Sequence, residues 1–171
     1  AHCTALDDCL SRLVATLKEQ GLWDNTLDIF TSDHGDLVGC HGLWDKQGPW
    51  EPSLHVPMAM HDPRSSLPAG SASDVVYNMV DHLPTISRLA GLEPPNTAQG
   101  RDLSGHLRRG TTPEPNDALY ASYFPFGNWY KQSDRVEPLY RSRESRGIRT
   151  TRYTYVEDLD GPWLLYDNEA D

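Results

Sequence analysis

The sequence predicts an α/β fold followed by a small antiparallel β subdomain, and three observations carry that expectation. An amphipathic segment is joined by a short turn to a β-prone run ending in a polar, glycine-punctuated loop, the order of an α/β unit. A second strand and a second helix follow between residues 54 and 90. Beyond residue 117 the chain turns to short β-prone runs separated by turn residues. The expected division is 1–117 for the α/β part and 118–171 for the β-rich part.

From Thr4 to Gln20, Leu6, Leu10, Leu13, Val14 and Leu17 recur at helical spacing and form one apolar stripe. Thr4 with Asp7 reads as a capping box, and Gly21 is placed to end the helix in a left-handed conformation. Leu22–Asn25 leads into a strand over Thr26–Ser32, followed by Asp33-His34-Gly35-Asp36. Ligands of open sheets gather beyond the carboxyl ends of strands, so Asp33 and His34 stand where chemistry is expected. Residues 35–53 form a loop longer than an ordinary connection, with Trp44 and Trp50 in it. Leu54–Met60 reads as the second strand, with Pro57 marking an edge or an irregular start.

The second helix is expected over His82–Ala90, with Asp81 as N-cap, Pro84 in the first turn, Leu83, Ile86 and Leu89 facing the core, and Gly91 closing it. Residues 96–117 read as an exposed connection. Leu119–Tyr123 and Gly147–Glu157 are strand candidates, and Trp163–Tyr166 is expected to pair back across the Asp158–Gly161 turn. Tyr120, Tyr123, Trp129 and Tyr130 form an aromatic cluster that suits either a core or a stacking surface.

Composition excludes several classes of function. The 171 residues suffice for one domain with a real core. With 25 acidic against 15 basic residues the formal net charge is −10, which opposes attraction to nucleic acid or anionic lipid. No apolar run approaches the ~20 residues that cross a bilayer. Cys3, Cys9 and Cys40 are odd in number and lack CxxC spacing, so they read as packed thiols rather than a disulfide scaffold or zinc ribbon.

The chemistry is concentrated in Thr31-Ser-Asp-His-Gly-Asp-Leu-Val-Gly-Cys-His-Gly-Leu-Trp-Asp-Lys46, followed by Glu51 and His55-Val-Pro57. As residue types, Asp33 can neutralise a metal, His34 can ligate it, and Lys46 can hold a sulfuryl or phosphoryl oxygen as a point charge. Types alone leave blander readings open. Asp and His after a strand also cap turns, a loop lysine is commonly a solvated surface group, and His41 in Gly-Cys-His-Gly also suits a plain turn.

In order and spacing, this stretch resembles the second signature region of the type I sulfatases, members of the alkaline phosphatase superfamily. The likeness extends to Gly21-Leu-Trp-Asp-Asn-Thr26, Val80-Asp81 through Pro84-Thr85, Leu89-Ala-Gly91, Arg146-Gly-Ile-Arg-Thr-Thr-Arg-Tyr153 and Leu165-Tyr-Asp-Asn168. The resemblance implies part of an alkaline phosphatase-like sandwich. It implies metal ligands at Asp33 and His34, a sulfate-binding catalytic lysine at Lys46, and a supporting or substrate-side role for His41 and Trp44. His55 stands where many members carry Arg. Calcium is the implied metal; the imidazole donor keeps manganese or zinc as alternatives.

One departure bears on activity. The family's nucleophile is a formylglycine made from Cys or Ser in a Cys/Ser-x-Pro-x-Arg motif, and no cysteine here begins that pattern. The paired aspartates that complete the family's metal site are also absent. The expectation is therefore a portion of a longer sulfatase, inactive alone and completed by an N-terminal part, acting on a sulfated small molecule or saccharide. Alternatives are a phosphonate or phosphate ester hydrolase of the same superfamily and a non-catalytic anion-binding domain.

Overall fold

The computed structural model describes residues 2–42, 44–46, 48–113 and 145–170, and the backbone of 117–122. The aromatic cluster expected at Tyr120, Tyr123, Trp129 and Tyr130 lies outside the described side chains.

Helix α1 spans His2–Glu19, so Thr4 and Asp7 lie inside it and do not cap its start. It ends as the glycine requires: Gly21 has φ +66, its N–H bonds to the Lys18 carbonyl, and the Leu22 N–H reaches back to Leu17. The expected stripe is present but incompletely covered. Leu10, Val14 and Leu17 are half-buried, whereas Leu6 and Leu13 are 53% and 52% exposed. A 3-10 turn at Trp23–Asn25 follows, and the Trp23 ring stacks on His61 with centroids 4.0 Å apart, tying the end of α1 to the second strand.

Strand β1, Asp28–Thr31, pairs antiparallel with β2, Met58–His61, placing Asp28 opposite His61 and Thr31 opposite Met58. The carboxyl end of β1 thus lies beside the amino end of β2. β2 starts later than its apolar pattern suggests, because Glu51–Leu54 forms a one-turn helix, α2, with Pro52 in its first turn, where a missing N–H costs little.

Helix α3, His82–Leu89, has the expected extent and glycine stop; Leu89 is buried and Ile86 half-buried as expected, but the buried face is turned away from Leu83. Pro84, Thr85 and Leu89 are buried while Leu83 is exposed. Polar groups set this rotation. Asp81 does not cap α3; it closes a capping box with Asn78 on the preceding 3-10 turn, Met79–Asp81. Buried Asp81 also accepts from the Arg101 N–H at 2.7 Å and the Arg101 guanidinium at 2.8 Å. One turn on, the Thr85 hydroxyl donates to the Arg101 carbonyl and accepts from the Leu103 N–H at 3.0 Å. Residues 96–117 are accordingly not all exposed connection: Leu103 is buried and Ser104–Arg109 forms helix α4. From α4, Arg108 pairs with Asp62 at 2.6 Å and donates to the Leu89 carbonyl at the end of α3.

The C-terminal sheet has the order β3 (Asp117–Ser122), β4 (Ser145–Thr150), β5 (Tyr153–Asp158) and β6 (Gly161–Asp167), all antiparallel. The β5–β6 hairpin turns at Asp158–Gly161, as expected, and Val156 is fully buried. The fully enclosed apolar set is small: among the described residues it is Leu37, Trp50, Leu89, Leu103 and Val156.

Asp62 is nearly fully enclosed and Arg108 neutralises it, so removing the arginine leaves a buried charge with the more distant Arg64 as its remaining cation. Arg108→Ala is expected to cost about 3 kcal/mol, measured as a loss of hydrogen-exchange protection in α3.

Candidate active site at the end of the first strand

After β1 the backbone turns sharply, and short hydrogen bonds hold the turn. The Ser32 hydroxyl donates to the His34 carbonyl at 2.8 Å, and the His34 N–H donates to Asp33 Oδ1 at 3.0 Å. The Gly35 N–H donates to the Ser53 carbonyl of α2 at 2.9 Å. A Cβ on Gly35 would lie 1.9 Å from the Pro52 carbonyl oxygen, so only glycine permits this approach.

His34 is oriented by its two neighbours. Its Nδ1 lies 2.7 Å from the Gly35 carbonyl, which can only accept, so Nδ1 carries the proton. The lone pair on Nε2 accepts from the Lys46 ammonium at 2.8 Å. Asp33 Oδ2 lies 3.5 Å from the same nitrogen. Asp33, His34 and Lys46 therefore converge at the carboxyl end of β1, with the Asp33 side chain 84% exposed. Partial desolvation pushes the Asp33 carboxyl up, but the neighbouring His34 ring, the backbone N–H groups of Asp33 and His34 and the Ser32 hydroxyl together outweigh it. The net shift is downward, which keeps Asp33 ionised across neutral pH.

Lys46 reaches His34 across a loop pinned at its base. Leu37 is fully buried, its N–H bonds to the Asp45 carbonyl at 2.7 Å, and its carbonyl accepts from the Cys40 N–H at 2.8 Å. Between these anchors Val38, Gly39, His41, Gly42 and Asp45 all have positive φ. Three of the five carry a Cβ, at roughly 1–3 kcal/mol each in such a region. Strain of this kind persists where the surroundings over-determine the backbone.

His41 is not joined to the other three by any hydrogen bond or ring contact of the described residues. It is exposed, and its ring lies 5.1 Å from that of Trp50. Trp44 is 67% exposed on the same loop. Trp50 is buried edge-on against Trp163, and its Nε1–H donates to the Tyr166 hydroxyl at 3.2 Å. Glu51 makes a two-point ion pair with Arg149 of β4, at 3.1 and 3.2 Å, and also holds the His55 Nδ1 at 3.0 Å. His55 thus faces Glu51. Arg149 went unmarked in the sequence because Arg146 and Arg152 share the same run; the unmatched acid at Glu51 was the signal available.

The donors test the fit of a metal. A carboxylate oxygen and an imidazole lone pair 3.5 Å apart suit neighbouring ligands of one divalent cation. Calcium takes 6–8 ligands, and the described residues contain no group of three or more His, Cys, Asp or Glu able to hold a metal. The residues present fit part of a metal site.

Residues 1–92 match the family model described as Sulfatase. The chain belongs to the sulfatase family. It is 30% identical to an ulvan-active sulfatase of Formosa agariphila over its whole length, covering 32% of that protein. Among solved structures, a protein captured with its substrate D-glucosamine-2-N,6-O-disulfate superposes with a TM-score of 0.81 at 30% identity, over 99% of this chain and 33% of that one. A phosphonate monoester hydrolase of Silicibacter pomeroyi superposes with a TM-score of 0.76 at 26% identity, over 96% and 33%. The sulfatase chain thus spans about a third of the length of the relatives it matches, and its α/β architecture with an antiparallel C-terminal sheet is the alkaline phosphatase-like one. Among the described residues no helix is long and apolar enough to cross a membrane.

Gly35→Ala is expected to force the turn off α2, costing about 1–3 kcal/mol as an overpacked contact does. The loss shows as a lower unfolding midpoint and as faster exchange of the residue-35 amide.

Proposed function

We propose that this chain supplies one portion of the active site of a sulfatase hydrolysing sulfate esters. The observation carrying the reading is the convergence of Asp33, His34 and Lys46 beyond β1 in a chain of the sulfatase family. Asp33 and His34 would hold a divalent cation, with calcium first and manganese or zinc as alternatives. The cation would supply positive charge against the oxyanion of the breaking ester. The remaining ligands and a formylglycine nucleophile would come from an N-terminal part of the fold, which the sequence motif leads one to expect.

The chain's own residues do the following. Asp33 stays ionised and offers a carboxylate oxygen. His34 presents Nε2 because the Gly35 carbonyl fixes the other nitrogen as donor. Lys46 donates hydrogen bonds to a sulfuryl oxygen, an interaction that strengthens as negative charge develops. The single lone pair of Nε2 serves either Lys46 or a cation, so the ammonium leaves His34 when it turns to an anion. His41 and Trp44, on the exposed rim of the loop, lie on the substrate side. A sulfated saccharide or small molecule is the proposed substrate, supported by the disulfated glucosamine named for the superposed structure. The proposed division near residue 117 is supported by the start of the C-terminal sheet at β3.

A second reading, a phosphonate ester hydrolase, is favoured by the superposition on the Silicibacter pomeroyi enzyme. The intact protein, assayed on an aryl sulfate and an aryl phosphonate monoester, separates the two. The sulfatase reading expects faster sulfate cleavage and loss of activity with a chelator. Lys46→Met is expected to lower kcat about 10²–10³-fold, the usual loss for one donor to a developing oxyanion. Faster phosphonate cleavage overturns the sulfate assignment, and binding without turnover of either ester marks an anion-binding domain.

A further inference from the structure

We propose that Arg149, on the C-terminal sheet, is a positioning residue for the Asp33–His34 pair, acting through Glu51 and helix α2. The proposal rests on the reading of Asp33, His34 and Lys46 as the active site. It begins from the size of α2. Glu51–Leu54 is a single turn, too short to be stable by its own hydrogen bonds, so contacts from outside decide where it sits. At its first residue, the Glu51 carboxylate is gripped at both oxygens by the Arg149 guanidinium, at 3.1 and 3.2 Å. Arg149 is itself fixed, since its Nη1 also donates to Thr154 Oγ1 at 3.2 Å, and Thr154 is its partner across the β4–β5 pairing. A planar, two-point grip of this kind sets direction as well as distance.

The position of α2 passes directly to the site. The Ser53 carbonyl holds the Gly35 N–H at 2.9 Å, the Gly35 carbonyl holds His34 Nδ1 at 2.7 Å, and that contact leaves Nε2 facing Lys46 and Asp33. Arg149 touches neither substrate nor the reacting atoms. Its part is to hold the far end of a relay of four contacts; a partner one step beyond a ligand commonly governs affinity 10–100-fold, and the effect expected of this more distant group is about the lower end of that range.

The test uses the intact protein with Arg149→Met, Arg149→Lys, Glu51→Gln and the Arg149→Met/Glu51→Gln double variant. Arg152→Met serves as control, because Arg152, exposed in the turn between β4 and β5, pairs with Asp167 and Glu169 at the end of β6. Two readouts are taken: hydrogen exchange of the peptide containing Gly35 in metal-free protein, and calcium affinity by calorimetry. Arg149→Met and Glu51→Gln are expected to speed exchange at Gly35 and weaken calcium binding about 10-fold, with exchange in β5–β6 unchanged. The double variant is expected to be no worse than either single one, since the pair acts as a unit. Arg149→Lys, which keeps the charge but not the fork, is expected to fall between, and Arg152→Met to match wild type. If the Met variant fails to fold, the Lys variant is read by the same criteria. Unchanged Gly35 exchange and calcium affinity alongside a lower unfolding midpoint would mean that Arg149 only ties sheet to helix, and the proposal fails. Absence of calcium binding by the wild type counts against the functional reading, whereas the Gly35 exchange comparison still decides the role of Arg149.

Discussion

The backbone of Gly35 lies against the Pro52 carbonyl at a separation no side chain can share, and the candidate site is built outward from that approach. Two short elements, the end of a four-residue strand and a one-turn helix, are joined there by one hydrogen bond. Neither is long enough to be rigid alone. The stiffness comes from what each is tied to: β1 to β2 on one side, α2 to the C-terminal sheet through Glu51, Trp50 and their partners on the other. A chemical group set on such a junction inherits the order of both sheets without belonging to either.

The lysine solves a separate problem. It must stand beside His34 although eleven residues of loop intervene, and a polar loop of that length would ordinarily spread over many conformations. Leu37 limits them by burying its side chain and closing the backbone onto Asp45. The positive φ values of Val38, His41 and Asp45 are the cost of turning tightly enough to return. Local conformational preference and tertiary anchoring oppose each other in this loop, and the anchoring prevails.

Much of this was legible in the residues, for identifiable reasons. Gly21 and Gly91 announce helix ends because the left-handed turn they permit is encoded at one position. The β5–β6 hairpin was legible because Asp158–Gly161 combines turn residues with flanking β-prone runs. What stayed hidden depends on partners distant in the chain. Helix α2 falls where the residues read as the end of a loop, because its local side-chain support is the contact of Glu51 with His55 and its other holding groups lie about a hundred residues away. Apolar spacing alone puts Leu83 on the buried face of α3, whereas the bonds of Asp81 and Thr85 to residues 101–103 fix the rotation that exposes it. The same network draws Leu103 inside a stretch whose composition reads as solvent-exposed. Asp33, His34 and Lys46 were readable as a motif, whereas the support from Arg149 was not, since one arginine among three within seven residues carries no local mark.

The incompletely covered stripe of α1 has a practical corollary for handling the polypeptide. With Leu6 and Leu13 facing water on one side of α1, the isolated chain presents a sticky ridge to its own copies. Recombinant production of these 171 residues by themselves should therefore yield self-associated or chaperone-bound material, whose solubility would improve when those two leucines are exchanged for glutamate.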